Sequence, residues 1–141
     1  AFLFDSLHRF GFASHQLPEL ARLRATVITN IVKCTPPANR PVSQEKRNCE
    51  KFLRKELMGF APSGRARNRV ILCLGRDAYE ALNRLLELPK KPFAHGLHVE
   101  AQKNLFLLTS FHPSRLNVNT KRLTRDMLDA VLGNAKSLLS A

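Results

Sequence analysis

Between Phe111 and Thr124 the chain reads FHPSRLNVNTKRLT. One short stretch thus holds an imidazole (His112), a hydroxyl (Ser114), side-chain amides (Asn117, Asn119) and cations (Arg115, Lys121, Arg122), with Arg125 just beyond. Groups of these types donate hydrogen bonds to phosphates and base edges, and an imidazole N–H can stabilise negative charge on a departing group. A lone histidine is more often structural than chemical, and each cation competes with plain solvation. The preceding residues weigh against the plainer reading for His112. Leu105 to Leu108, followed by Thr109, is an apolar run without Gly or Pro and predicts a buried strand. An open α/β sheet binds its ligands beyond the carboxyl ends of its strands, where His112 and the turn at Pro113 fall. Leu116 is an apolar residue in the middle of this polar loop.

The elements that must hold this loop follow from hydrophobic patterning. Phe2, Leu3, Leu7 and Phe10 recur at helical spacing and Gly11 follows as a stop, predicting a short helix over 2–10. Val27 to Val32 is β-branched and predicts a strand, followed by a loop with Pro36, Pro37 and Pro41. Ser43 suits a helix N-cap, with Cys49, Phe52, Leu53 and Leu57 as one apolar stripe ending near Gly59. Residues 62–68 read as a polar surface linker. Val70 to Leu74 is a second buried strand, turned by Gly75 into a helix with Ala78, Leu82, Leu85 and Leu86 inward. His95-Gly96 opens a short edge strand around Leu97 to Ala101, which turns back at 102–104 into the Leu105 strand. The last helix starts near Arg125, capped by Thr124, with Met127, Leu128, Val131, Leu132, Ala135 and Leu139 facing the core. This alternation predicts an α/β fold, a mostly parallel sheet with helices on both faces.

At 141 residues and 44% hydrophobic composition, one domain with a real core is expected. No apolar run approaches membrane-spanning length, so a cytoplasmic protein is expected. The chain opens on Ala1 without Met, which points to upstream sequence. Lys and Arg total 23 against 11 Asp and Glu, a net charge of +12. Because the cations gather in loops (Arg40, Arg65, Arg67, Arg69, Arg115, Lys121, Arg122), a polyphosphate partner is favoured over simple solubility. Cys34, Cys49 and Cys73 form no disulfide framework, and Cys73 reads as a small core residue. There is no Gly-rich nucleotide loop, which argues against an ATPase or dehydrogenase. His95 and His98 lack a third ligand at zinc spacing.

The run HPS-Arg115-Leu116-Asn117, then Thr120 and Arg122-Leu123-Thr124, resembles the second signature motif of the uracil-DNA glycosylase superfamily, most closely its iron–sulfur family 5, with family 4 features elsewhere. That resemblance implies a three-layer α/β/α sandwich with a mostly parallel central sheet. It implies a DNA repair glycosylase that flips a nucleotide out of the helix and excises uracil, and other deaminated bases, by N-glycosidic bond hydrolysis. By the same resemblance His112 is the donor to the departing base and Asn117 a catalytic-site residue. Asn39 matches the family 5 position that reads uracil, and Asn30 its family 4 counterpart; from the residues alone, Asn39 equally suits a turn cap. Ser114, Arg115, Lys121 and Arg122 become DNA contacts, and Leu116 the wedge that fills the vacated stack.

Ile28 to Pro41, with Cys49 beyond, resembles the cysteine region of families 4 and 5, where four thiolates hold a four-iron, four-sulfur (4Fe-4S) cluster. Cys34 and Cys49 match two of those ligands. Two further cysteines and a Gly-rich first motif, with the acidic residue that helps activate water, lie upstream in the family, so the cluster is expected in the complete protein and incomplete in these residues. Asp5 follows that motif and is not expected to replace its acid. The expectation is a single uracil-DNA glycosylase-like domain over 1–141 without the N-terminal segment, monomeric and acting on uracil-containing DNA. A non-catalytic DNA-binding remnant is the alternative, and an RNA-binding α/β domain a third.

Overall fold

The computed structural model describes residues 2–24, 26–29, 53–57 and 68–140. Three strands form one sheet: β1 (Arg69–Leu74), β2 (His98–Gln102) and β3 (Leu105–Ser110), in the order β1-β3-β2. β3 is central. It pairs in parallel with β1, from Arg69 opposite Leu105 to Leu74 opposite Ser110, and antiparallel with β2, with a register shift between Glu100 and Gln102. The described sheet is therefore mixed, where a mostly parallel one was expected. The tight turn at Lys103–Asn104 accounts for the antiparallel pair, with Asn104 at φ 65°. A connection that short cannot cross over to a parallel neighbour.

Why β3 is apolar almost throughout follows from its neighbours. Successive side chains of a strand point to opposite faces, and both faces of β3 are covered. Leu107 packs with Cys73, Tyr79, Leu82 and Leu85 of β1 and α2 (Arg76–Leu85), and with Leu53 from the helical residues 53–57. Leu108 packs on the other side against Val131 and Ala135 of the last helix, Arg125–Ser140. That helix also meets α1 (Phe2–Arg9) around Leu7, Leu123, Leu128 and Leu132. As expected, Thr124 caps it, its Oγ1 accepting from Met127 N–H at 3.3 Å. Gly11, at φ 81°, ends α1 in the left-handed conformation that a glycine tolerates without strain.

Two local expectations are corrected. Residues 27–29, the described part of the expected Val27–Val32 strand, form no strand, and Val27 is 61% exposed. β-branched composition favours a strand only where a neighbour completes the ladder, and no described strand pairs with them. The stretch after Pro113, read as open loop, contains a short helix, α3 (Arg115–Asn119), started by Ser114 as N-cap. Of the expected Ser43 helix, residues 53–57 are helical as anticipated; its start, the Pro-rich loop and the 62–67 linker lie outside the described residues.

Candidate functional site

The parallel pairing of β1 and β3 decides what meets at their carboxyl ends. After the last pair, Leu74 with Ser110, Gly75 N–H donates to Ser110 O at 2.8 Å. Gly75 and His112 then lie in contact: a Cβ placed on Gly75 would stand 3.2 Å from the His112 Cβ. Gly75 has φ 99° and ψ 168°, a conformation open essentially to glycine alone. The β1–α2 turn therefore forms one wall of the site and leaves room for the histidine.

His112 combines a held backbone with an exposed side chain. Its carbonyl accepts from Ser114 N–H at 2.8 Å and from Asn117 Nδ2 at 2.9 Å. Ser114 Oγ accepts from Asn117 N–H at 3.2 Å, and Asn117 O accepts from Leu123 N–H at 3.0 Å. Leu123 is buried against Leu7 and Leu128, so this short network ties the histidine loop to the hydrophobic core. The imidazole is thereby placed at the surface by a backbone that the fold constrains.

The remaining loop residues fall into two groups. Arg115, Leu116, Lys121 and Arg122 are exposed, Leu116 to 71%, which is unusual for a large apolar side chain next to a packed core. Lys121 sits at φ 62°, where the chain leaves α3, and Thr120 closes that helix through its N–H and Oγ1, both donating to Leu116 O. The Arg122 guanidinium carbon lies 5.0 Å from the centroid of Phe111, over the ring, a cation–π contact that holds this exposed cation on the residue before His112. Ser114 and Asn117, read as ligand contacts from sequence, also organise the loop. Asn39, Asn30, Cys34 and Cys49 lie outside the described residues.

The donor set for an iron–sulfur cluster does not close on these residues. Cys73 is buried among Leu53, Tyr79, Leu82 and Leu107, and burial pushes its thiol up to about 12, which opposes the thiolate that metal ligation requires. Among the described residues no group of three or more His, Cys, Asp or Glu comes together. A four-thiolate cluster needs more cysteines than Cys34 and Cys49 supply.

Two residues of this site drew only a structural reading from sequence. Gly75 reads as a turn and His95 as the turn that opens an edge strand, yet Gly75 walls the site and His95 touches Phe111. A glycine directly after a buried strand is the signal that invites asking what approaches it.

An α/β framework with a histidine-bearing loop at its strand ends defines a class that comparison makes specific. The chain belongs to the uracil DNA glycosylase superfamily, whose family profile matches residues 1–136. It is similar to a type-5 uracil-DNA glycosylase of Thermus thermophilus, at 41% identity over 98% of this chain and 63% of that protein. A type-5 uracil-DNA glycosylase of Pyrobaculum aerophilum is 41% identical over 80% of this chain and 47% of its own length. A type-4 uracil-DNA glycosylase of Archaeoglobus fulgidus matches at 39% over 43% of this chain and 28% of its own length. The chain thus spans about half to two thirds of the type-5 relatives' length. Among the described residues no helix is long and apolar enough to cross a membrane.

Proposed function

We propose that this chain supplies the strand-end half of a type-5-like uracil-DNA glycosylase, a DNA repair enzyme that hydrolyses the N-glycosidic bond of deoxyuridine after flipping the nucleotide out. The observation that carries the reading is His112: exposed, at the end of the buried central strand, with its carbonyl held by Ser114 and Asn117. In the reaction the bond from C1′ to the base nitrogen breaks, its electron pair leaves with uracil, and water adds at C1′. The sugar gains oxocarbenium character while negative charge spreads onto the base carbonyls. An N–H donor already fixed where that charge develops lowers the barrier without reorganising during the step.

The other roles are the ones the family resemblance implies. Asn117 holds the His112 carbonyl through Nδ2, which leaves its Oδ1 available as an acceptor. Asn39, with Asn30 as its family 4 counterpart, reads the uracil edge. Leu116 enters the vacated stack, and Ser114, Arg115, Lys121 and Arg122 contact phosphates. Cys34 and Cys49 are two thiolates of a cluster completed by residues beyond these. The reading includes a single, monomeric, cytoplasmic domain of three-layer α/β/α form with a mostly parallel central sheet. The parallel β1–β3 pair and the helices covering both faces of β3 support that architecture.

The test is uracil release from an oligonucleotide by the full-length protein, with His112→Ala alongside. The substitution is expected to lower cleavage by about one to three orders of magnitude while leaving DNA affinity nearly intact. Equal activity of variant and parent removes His112 from this role. DNA binding without release by the parent identifies a non-catalytic remnant, and equal affinity for matched RNA points to an RNA-binding domain.

A further inference from the structure

We infer that His95 is a positioning residue for His112, acting through Phe111; the inference rests on the glycosylase reading of His112. The argument starts from the end of a β-ladder. Thr109 N–H donates to Leu97 O at 3.2 Å, on the side of β3 that faces β2. Two residues on, the strand's period points Phe111 N–H to the same side. There β2 has already ended, and the acceptor is a side chain: His95 Nδ1, at 3.0 Å. The imidazole also lies nearly parallel to the Phe111 ring, with centroids 5.1 Å apart and planes at 27°. One histidine thus fixes both the backbone and the ring of the residue immediately before the leaving-group donor.

His95 is itself held. Thr109 is fully buried, and its Oγ1 donates to Ala94 O at 2.6 Å and accepts from Leu97 N–H at 2.8 Å, while Gly96 N–H donates to Thr109 O at 3.0 Å. Gly96, at φ 82°, lets the chain make this turn. The 94–97 segment is therefore pinned on both sides of His95, and its ring is delivered to Phe111 from a rigid base. Because Nδ1 accepts, the neutral ring carries its proton on Nε2. Loss of this acceptor frees the Ser110–Phe111 peptide, one residue before His112, and displacement of a catalytic group by about 1 Å can lower a rate about a hundredfold.

The experiment uses the full-length protein and a uracil-containing oligonucleotide. His95→Phe keeps an aromatic ring on Phe111 and removes the acceptor; His95→Asn places Oδ1 near the position of Nδ1. The expected result is a kcat about 10- to 100-fold lower for His95→Phe with KM changed less than about twofold, and recovery of most of kcat in His95→Asn. Amide exchange at Phe111, followed by NMR, should quicken in His95→Phe and stay slow in His95→Asn. A kcat unchanged in His95→Phe, while His112→Ala still lowers it, overturns the inference and leaves the glycosylase reading standing. Equal impairment of both His95 variants also overturns it, since a purely structural loss would not be rescued by Asn. A parent that releases no uracil overturns the glycosylase reading and this inference together.

Discussion

Gly75 stands against His112 so closely that a Cβ on Gly75 would lie 3.2 Å from the histidine Cβ. The contact joins the ends of two strands far apart in sequence, and it makes a glycine part of the wall of the proposed site.

Gly75→Ala is expected to act in two ways. The residue sits at φ 99° and ψ 168°, where any side chain is strained, at a cost of about 1–3 kcal/mol. The added methyl also presses on His112 and displaces it, so uracil release should fall by about tenfold or more. Urea unfolding measures the first effect and single-turnover release the second. Parent-like values in both would mean that the turn relaxes away from His112.

Leu116 is expected to separate binding geometry from stability. It is 71% exposed, so Leu116→Ala should change the folding free energy by less than about 0.5 kcal/mol. As a wedge it acts only where a base must be extruded from a stack. Uracil excision from duplex DNA should therefore fall by about tenfold, with a smaller loss on single strands. Equal losses on both substrates, or none, would remove the wedge role.

The α1 contact with the last helix should make stability depend on acid. The Arg125 hydrogen bond, with the charges of Arg125 and Arg9, holds the Asp5 carboxyl below its ordinary value of 3.8, outweighing an opposing desolvation effect. A depressed folded-state value contributes stability that is fully present above the unfolded value and is lost as pH falls through the folded one. The parent and Asp5→Asn should therefore differ by a constant Tm gap above about pH 5 and converge below 3.8. A gap independent of pH would show that the carboxylate charge contributes nothing.

Some features of the site were legible because their causes are local. The Thr124 cap needs only a hydroxyl three residues before the Met127 N–H. The buried character of Leu105–Ser110 shows in its composition, and the place of His112 follows from where that run ends. The hairpin into β3 was also readable, since Lys103–Asn104 leaves no room for a crossover. The helix at Arg115–Asn119 was missed, although Ser114 with Asn117 three residues on satisfies the same cap rule. Pro113 and the dense polar side chains pointed to loop, and one turn of helix is too short to show a period.

By itself, the sequence determined where the central strand runs, that a histidine loop follows it, and the family to which such a loop belongs. Each of these depends on residues within a few positions of one another. Tertiary structure alone decided that Val27 to Thr29 form no strand, that Gly75 faces His112, and that the His95 side chain accepts from Phe111 N–H. These outcomes depend on strand register between distant segments. A ladder's hydrogen bonds are completed by partners whose positions no local pattern encodes.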